Sequence, residues 1–188
     1  MAGKGRVSFE DELRALSAVA DSPRSDEARA RLLAGLRSKR SLVAARAARL
    51  VKEHRLEGFD DELEALFERF LPDPVKSDPV CQAKLAAIEA LDYCESMNAA
   101  PFLRASVHVQ HEPSDTAAPM RARAVLALAR IGHDDFDLVA ARLLADPVAT
   151  VRQGALDALT HRGDRPGRRW RCSSSASATR IRWSRSRR

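Results

Sequence analysis

At 188 residues the chain is long enough for one ordinary domain or a short array of repeats. Hydrophobic residues make up 45% of it but aromatics only 5%, so its core is expected to be Ala, Leu and Val packed helix on helix. No apolar run approaches the ~18 residues a membrane span needs. The first dozen residues lack the apolar centre of a signal peptide, and the expected location is cytoplasmic. The net charge of +6 invites a nucleic-acid partner, but its distribution argues otherwise, as set out below.

In chain order, residues 1–7 read as a disordered leader. Phe9, Leu13, Leu16, Val19 and Ala20 form a helical stripe that opens at Ser8, with Asp11 three residues on as a capping arrangement. Asp21-Ser-Pro-Arg-Ser breaks it. A second helix over 26–37 carries Ala28, Leu32, Leu33 and Leu36. These two helices, within 8–40, are expected to cap the end of an array, where an atypical pair must cover the apolar face.

Alternating pairs follow. The spacing predicts helices over 41–55 and 60–71, the latter with Leu63, Leu66, Phe67, Phe70 and Leu71 inward. A proline-punctuated connection leads to helix 79–95. Helix 100–110 is expected to turn Phe102, Ala105, Ser106 and Val109 inward. After a longer break, helix 119–131 pairs with helix 135–145, whose stripe is Phe136, Val139, Ala140, Leu143 and Leu144.

The last helix, 147–161, is the clearest. Asp146 can cap its first turn and Pro147 sits where a missing N–H costs nothing. Val148, Val151, Ala155, Ala158 and Leu159 fall on one face, and Gly163 stands where a left-handed cap is expected. Without a following helix, Val148, Val151, Ala155 and Leu159 are expected to be partly uncovered, leading to dimerisation or fraying.

This helix is also a repeat. Val151-Arg152…Ala155…Leu159…Gly163 matches Met120-Arg121…Ala124…Leu128…Gly132 and Ala83-Lys84…Ala87…Leu91…Glu95, and more loosely Val43-Ala44…Ala47…Val51. The offsets are 40, 37 and 31 residues, a period typical of two-helix repeats. The pattern Asp-Pro-x-x-x-Val-Arg-x-x-Ala-x-x-Ala-Leu resembles the first helix of HEAT repeats, including the HEAT-like or phycobilin-lyase-type ones, over roughly residues 41–163. The first copy lacks the Asp-Pro start, and the third has Thr116-Ala-Ala-Pro119 in its place. The resemblance implies an all-α fold, an α-α superhelix forming a short HEAT-like solenoid of helical hairpins. It also implies that Arg121 and Arg152 support packing between repeats.

After Asp164 the composition changes abruptly to Arg, Ser, Trp, Pro and Ala with no apolar period, and both tryptophans, Trp170 and Trp183, lie here. Residues 164–188 hold nine Arg and one Asp. This segment therefore carries +8 of the +6 total, leaving −2 for residues 1–163. It reads as an Arg/Ser-rich disordered tail, of the kind produced by reading a GC-rich strand out of frame, with the second helix of the fourth repeat lost. Arg interleaved with Trp between Arg165 and Arg188 is also a composition that binds nucleic acid.

Few residues suggest chemistry. His108, His111 and Glu112 are the only clustered metal-type ligands, and their spacing reads as a solvated helix end rather than a zinc site. Cys81 and Cys94 lie in one predicted helix roughly 20 Å apart, too far to bridge; with Cys172 they are expected to be incidental thiols. Asp60-Asp61 and Asp134-Asp135 read as helix-start residues favoured by the macrodipole. No catalytic, cofactor or metal site is expected.

Two functional readings remain. The first is a non-catalytic protein-protein interaction scaffold. Its partner, another protein, would meet the concave face through Glu64, Glu68, Arg104, His108 and Arg142, a set of mixed sign. The second is a nucleic-acid-associated protein, either through the tail or because some HEAT-like proteins remove alkylated DNA bases. A base-excising site needs a basic face with aromatic and acidic residues, whereas both Trp lie outside the array. Nothing marks a bilin-handling residue set, and no membrane partner is expected.

Overall fold

A computed structural model describes residues 8–111 and 114–163. The leader at 1–7 and the basic segment at 164–188 lie outside the described residues, as does Glu112. Among the described residues the chain is all-helical, with one isolated bridge between His111 and Asp115. None of the described helices is long and apolar enough to cross a membrane.

Side-chain caps open the first two helices. Helix α1, Phe9–Ser17, begins at Ser8, whose hydroxyl accepts from the Asp11 N–H at 3.1 Å. It stops earlier than the apolar stripe suggests. The Ser17 hydroxyl bonds back to the Leu13 carbonyl at 3.0 Å, and the chain tightens into a 3-10 turn, Ala18–Asp21. Leu16 and Val19 are buried across that break, whereas Phe9 is exposed. Helix α2, Asp26–Leu36, is capped by Ser25 in the same way.

Helices α3, Ser41–Glu53, and α4, Asp60–Arg69, follow. The proline-rich connection holds a short turn of helix, α5, Pro74–Ser77, which the sequence pattern did not reveal. Then come α6, Gln82–Tyr93, α7, Ala100–Val107, α8, Ala118–Ile131, α9, Phe136–Leu144, and α10, Ala149–Gly163. Gly132 ends α8 in a left-handed conformation at φ +75°. The expected cap at Gly163 is instead the last residue of α10.

The packing has a simple order. Helices α3, α6, α8 and α10 stand in a row, each against the next. We call them stacking helices. Helices α4, α7 and α9 return between them, and each packs chiefly on the stacking helix that follows it, as α2 does on α3. Helix α10 is therefore covered by α9. Of Val148, Val151, Ala155 and Leu159, expected to be partly uncovered, Val148 is half-buried and Leu159 exposed as expected, while Val151 and Ala155, with Ala158, are fully buried and correct the expectation.

The two kinds of helix are built from different residues. Ala47, Ala87, Ala124 and Ala155 are all buried at the same place in successive stacking helices, letting backbones approach closely. One such close approach is at Gly154, where an added Cβ would come 2.8 Å from the Ala122 Cβ and 2.9 Å from its Cα. The return layer supplies bulk instead. Phe59, Phe67, Phe70, Phe102 and Phe136 are buried there, all of the phenylalanines except Phe9. The core thus depends more on aromatics than their overall scarcity implied.

Candidate interaction surface

Four of the five residues expected on one face come from the three return helices and the fifth, His108, follows α7; they do not form one cluster. Glu68 of α4 and Arg104 of α7 form an ion pair between successive return helices, both with substantially exposed side chains. Glu64, one turn earlier on α4, instead holds Asn98, whose side-chain amide donates to both carboxylate oxygens at 2.9 Å. Asn98 in turn accepts from the Ala100 N–H and so fixes the start of α7. Arg142 stands exposed on α9.

His108 differs from the expectation. Helix α7 ends at Val107, so His108 is its cap and the residues after it leave the helix. The reason lies in Gln110. Its side-chain amide donates to the carbonyls of Asp78 at 2.8 Å and Pro79 at 2.6 Å, tying this segment to the start of the previous stacking helix. Gln110 is buried in consequence, and Val109, expected inward, is 51% exposed. His108 and His111 therefore share no helical face. Burial, followed by the nearby Lys84 ammonium, pulls the His108 imidazole below the usual histidine range.

Beneath this segment lies a set of buried charges that the sequence reading did not assemble. Asp78 accepts from the backbone N–H groups of Gln82, Ala83 and Lys84 and from the Lys84 ammonium at 3.2 Å, with both side chains buried. One repeat on, Arg121 is held by two carboxylates. It donates through Nε and Nη2 to Asp146 at 3.0 and 3.1 Å and through Nη2 to Asp115 at 2.6 Å, while Nη1 donates to the His108 carbonyl. Burial alone would raise the Asp115 carboxyl, but the Arg121 hydrogen bond and charge, with the Gln110 and Ala117 N–H groups, bring it below the usual range. Burial likewise works against the Arg121 cation, yet both carboxylates hold its pKa above the usual value.

Asp146 has a second task, accepting from the Val148 N–H at 2.9 Å at the start of α10. The Asp146 of one repeat thus clamps the Arg121 of the repeat before it. The signal was in the sequence. Asp78 and Lys84, Asp115 and Arg121, and Asp146 and Arg152 are each six residues apart. The second of these acids, Asp115, stands immediately before the Thr116 start of the third copy.

The thiols bracket α6, with Cys81 at its start and Cys94 at its end. Burial pushes the Cys81 thiol up to about 12 and also raises Cys94, so neither is a thiolate near neutrality. Among the described residues no three His, Cys, Asp or Glu side chains gather as a metal-ligand set.

Compared with known proteins, the chain matches no family model, and neither a curated protein nor a solved structure matches it significantly.

Proposed function

We propose that the chain is a non-catalytic scaffold, a short HEAT-like solenoid that binds another protein on the concave face formed by its return helices. The observation that carries this reading is the recurrence of one buried position. Ala47, Ala87, Ala124 and Ala155 occupy the same motif position and are buried in helices that pack consecutively. A row of near-equivalent hairpins presents its return helices side by side, and repeat proteins use such a surface for partners. Glu64, Glu68, Arg104 and Arg142 give that surface mixed charge, and His108 borders it. A partner carrying both acidic and basic side chains fits better than nucleic acid.

The test is affinity capture with the full chain and with the Glu68→Arg/Arg142→Glu variant, after circular dichroism has shown equal helicity. A partner bound by the first and lost by the second supports the face. One held equally by both removes it. The nine Arg of residues 164–188 favour a second reading, nucleic-acid binding through that segment. Its mark would be affinity for single-stranded DNA falling steeply with salt.

A further inference from the structure

The basic residues of the folded part are not spread evenly. Residues 22–56 hold ten Lys and Arg against three Asp and Glu, although residues 1–163 as a whole carry −2. Five of these cations are neutralised in place: Arg31, Arg37, Arg40, Arg46 and Lys52 each meet a carboxylate, at 2.6 to 3.8 Å. Arg24, Arg29 and Arg55 have no such partner among the described residues, and the three line one cleft together. It is an open space of about 400 Å³ between the start of α2 and the turn that joins α3 to α4. A second cleft, of about 410 Å³, shares Pro23, Arg24 and Ser25 with it and reaches His54. Two of the three arginines are held in place by neutral groups. The Arg29 guanidinium lies 4.6 Å from the Phe59 ring centre and donates to the Gly58 carbonyl at 2.9 Å. Arg55 lies 5.1 Å from the Tyr93 ring centre and donates to its hydroxyl at 3.2 Å. A guanidinium has five N–H donors, so each keeps most of them for a ligand. Their side chains are already ordered, which lowers the cost of binding.

We propose that this cleft binds an acidic peptide segment of a partner protein. Arg24, Arg29 and Arg55 take its carboxylates, and Asp26 and Glu57, which line the same cleft, take a basic side chain of the same segment. The site works by charge: Leu56 and Phe59, only 7% and 3% exposed, offer a ligand little apolar surface. Two observations select this occupant. The terminal segments outside the described residues cannot supply the acids, since 1–7 holds Lys4 and Arg6 with no Asp or Glu, and 164–188 holds nine Arg with Asp164 alone. Nucleic acid presents a run of phosphates and would set them against Asp26 and Glu57, both exposed and neither in an ion pair among the described residues. A peptide of mixed sign satisfies all five charges, with arginine–carboxylate contacts that can be two-pronged. None of Glu64, Glu68, Arg104, His108 and Arg142 lines the cleft. The site therefore goes beyond the return-helix face and stands even if that face binds nothing.

The experiment is hydrogen–deuterium exchange of the full chain, titrated with a peptide of glutamates around a central lysine and, in parallel, with oligodeoxythymidylate. Reading protection residue by residue separates the cleft from the nine Arg of 164–188, which attract any polyanion. The expected result is slowed exchange over 22–29 and 54–59 with the peptide and not with the DNA. Arg24→Glu combined with Arg55→Glu raises the peptide concentration needed for half protection by at least about tenfold. Arg24→Glu alone, at an exposed side chain with no bond among the described residues, has a smaller effect of the same sign and leaves exchange without peptide unchanged. That single variant keeps the test valid should losing the Arg55 stack on Tyr93 loosen the end of α3. Any of three results overturns the proposal: no protection of these two segments, protection equal in the wild type and both variants, or equal protection by the DNA.

Discussion

Arg121 and Arg152 hold the same position in successive repeats, yet one is sealed beneath a loop and the other lies in solvent. Arg121 has a side chain only 2% exposed and two carboxylates, while Arg152 bonds two carbonyls at the surface. The difference teaches that the motif residue has no fixed energetic worth. Its value comes from the following repeat, which delivers Asp146 to Arg121 and delivers nothing described to Arg152.

The largest expected effect therefore separates these two. Arg121→Ala leaves Asp115 and Asp146 buried beside each other without a counter-charge, which costs about 3–5 kcal/mol. Arg152→Ala in dilute solution costs less than about 0.5 kcal/mol. Urea unfolding of both variants decides the matter, and equal losses would break the comparison. Arg121→Lys sharpens it, because a single ammonium cannot reproduce the two-pronged contact to Asp146.

Next in size is the contact that sets α10 on α8. Gly154→Ala improves helix propensity by up to about 1 kcal/mol. The new methyl would meet Ala122 at 2.8 Å and its backbone at 2.9 Å, so the helices must separate. Forced separation in a packed layer costs about 1–3 kcal/mol, and the clash wins. The expected outcome is net destabilisation, read from the thermal midpoint; Ala122→Gly in the same chain should recover part of it. A stabilised Gly154→Ala would show that the two helices are less closely packed than described.

Much of this was legible in the sequence. The helix order, the caps at Ser8 and Asp146 and the alanine positions all follow from local chemistry, because each depends on residues a few positions apart. What failed depends on contacts made from a distance. Helix 100–110 ends at Val107 because Gln110 reaches back to Asp78, 32 residues away. The apolar period beyond Val107 carried no trace of that bond. Of the four α10 residues expected to be partly uncovered, Val148 and Leu159 are so, whereas Val151 and Ala155 are covered, because each return helix packs on the stacking helix that follows it rather than on the one before. The exposed Leu156 was nonetheless discoverable as the equivalent of Val125 and Ile88, and the recurring Asp-to-Lys/Arg spacing of six was equally visible. Of the five proposed face residues, only Glu68 and Arg104 meet, since side-chain pairing across return helices has no local signature.

A smaller effect is expected from pH. The His108 imidazole is drawn below its usual range by burial and by Lys84 and Arg121, against a smaller upward pull from Gln110 and Asp115. Its folded pKa is thus lower than its unfolded one, so the unfolded chain binds the proton more readily. Stability from this group is complete above the unfolded value, about 6.5, and is lost as the pH falls below it. Urea midpoints should decline from pH 7.5 to 5.5 in the wild type and decline less in His108→Gln. The Asp115 carboxyl, also depressed, adds a further loss of the same sign in the more acidic carboxylate range. Parallel profiles for the two proteins would remove His108 from the account.

The smallest effect on stability belongs to the return-helix face, and there smallness is itself the informative result. Glu68 and Arg104 pair with side chains 43% and 57% exposed, so water screens them and their pairing competes with side-chain freedom. Such a pair contributes about 0–1 kcal/mol. Arg104→Ala should shift the unfolding midpoint hardly at all, in contrast to Arg121→Ala at the buried end of the same repeat. If the face binds a partner, the same substitution should weaken that complex by more than it weakens the fold, since a charge at an interface is partly withdrawn from water. A double-mutant cycle on Glu68 and Arg104, run once by urea unfolding and once by partner affinity, measures both quantities. Coupling seen only in the unfolding arm would make the pair a minor brace between α4 and α7. Coupling seen only with the partner would mark it as part of the binding surface.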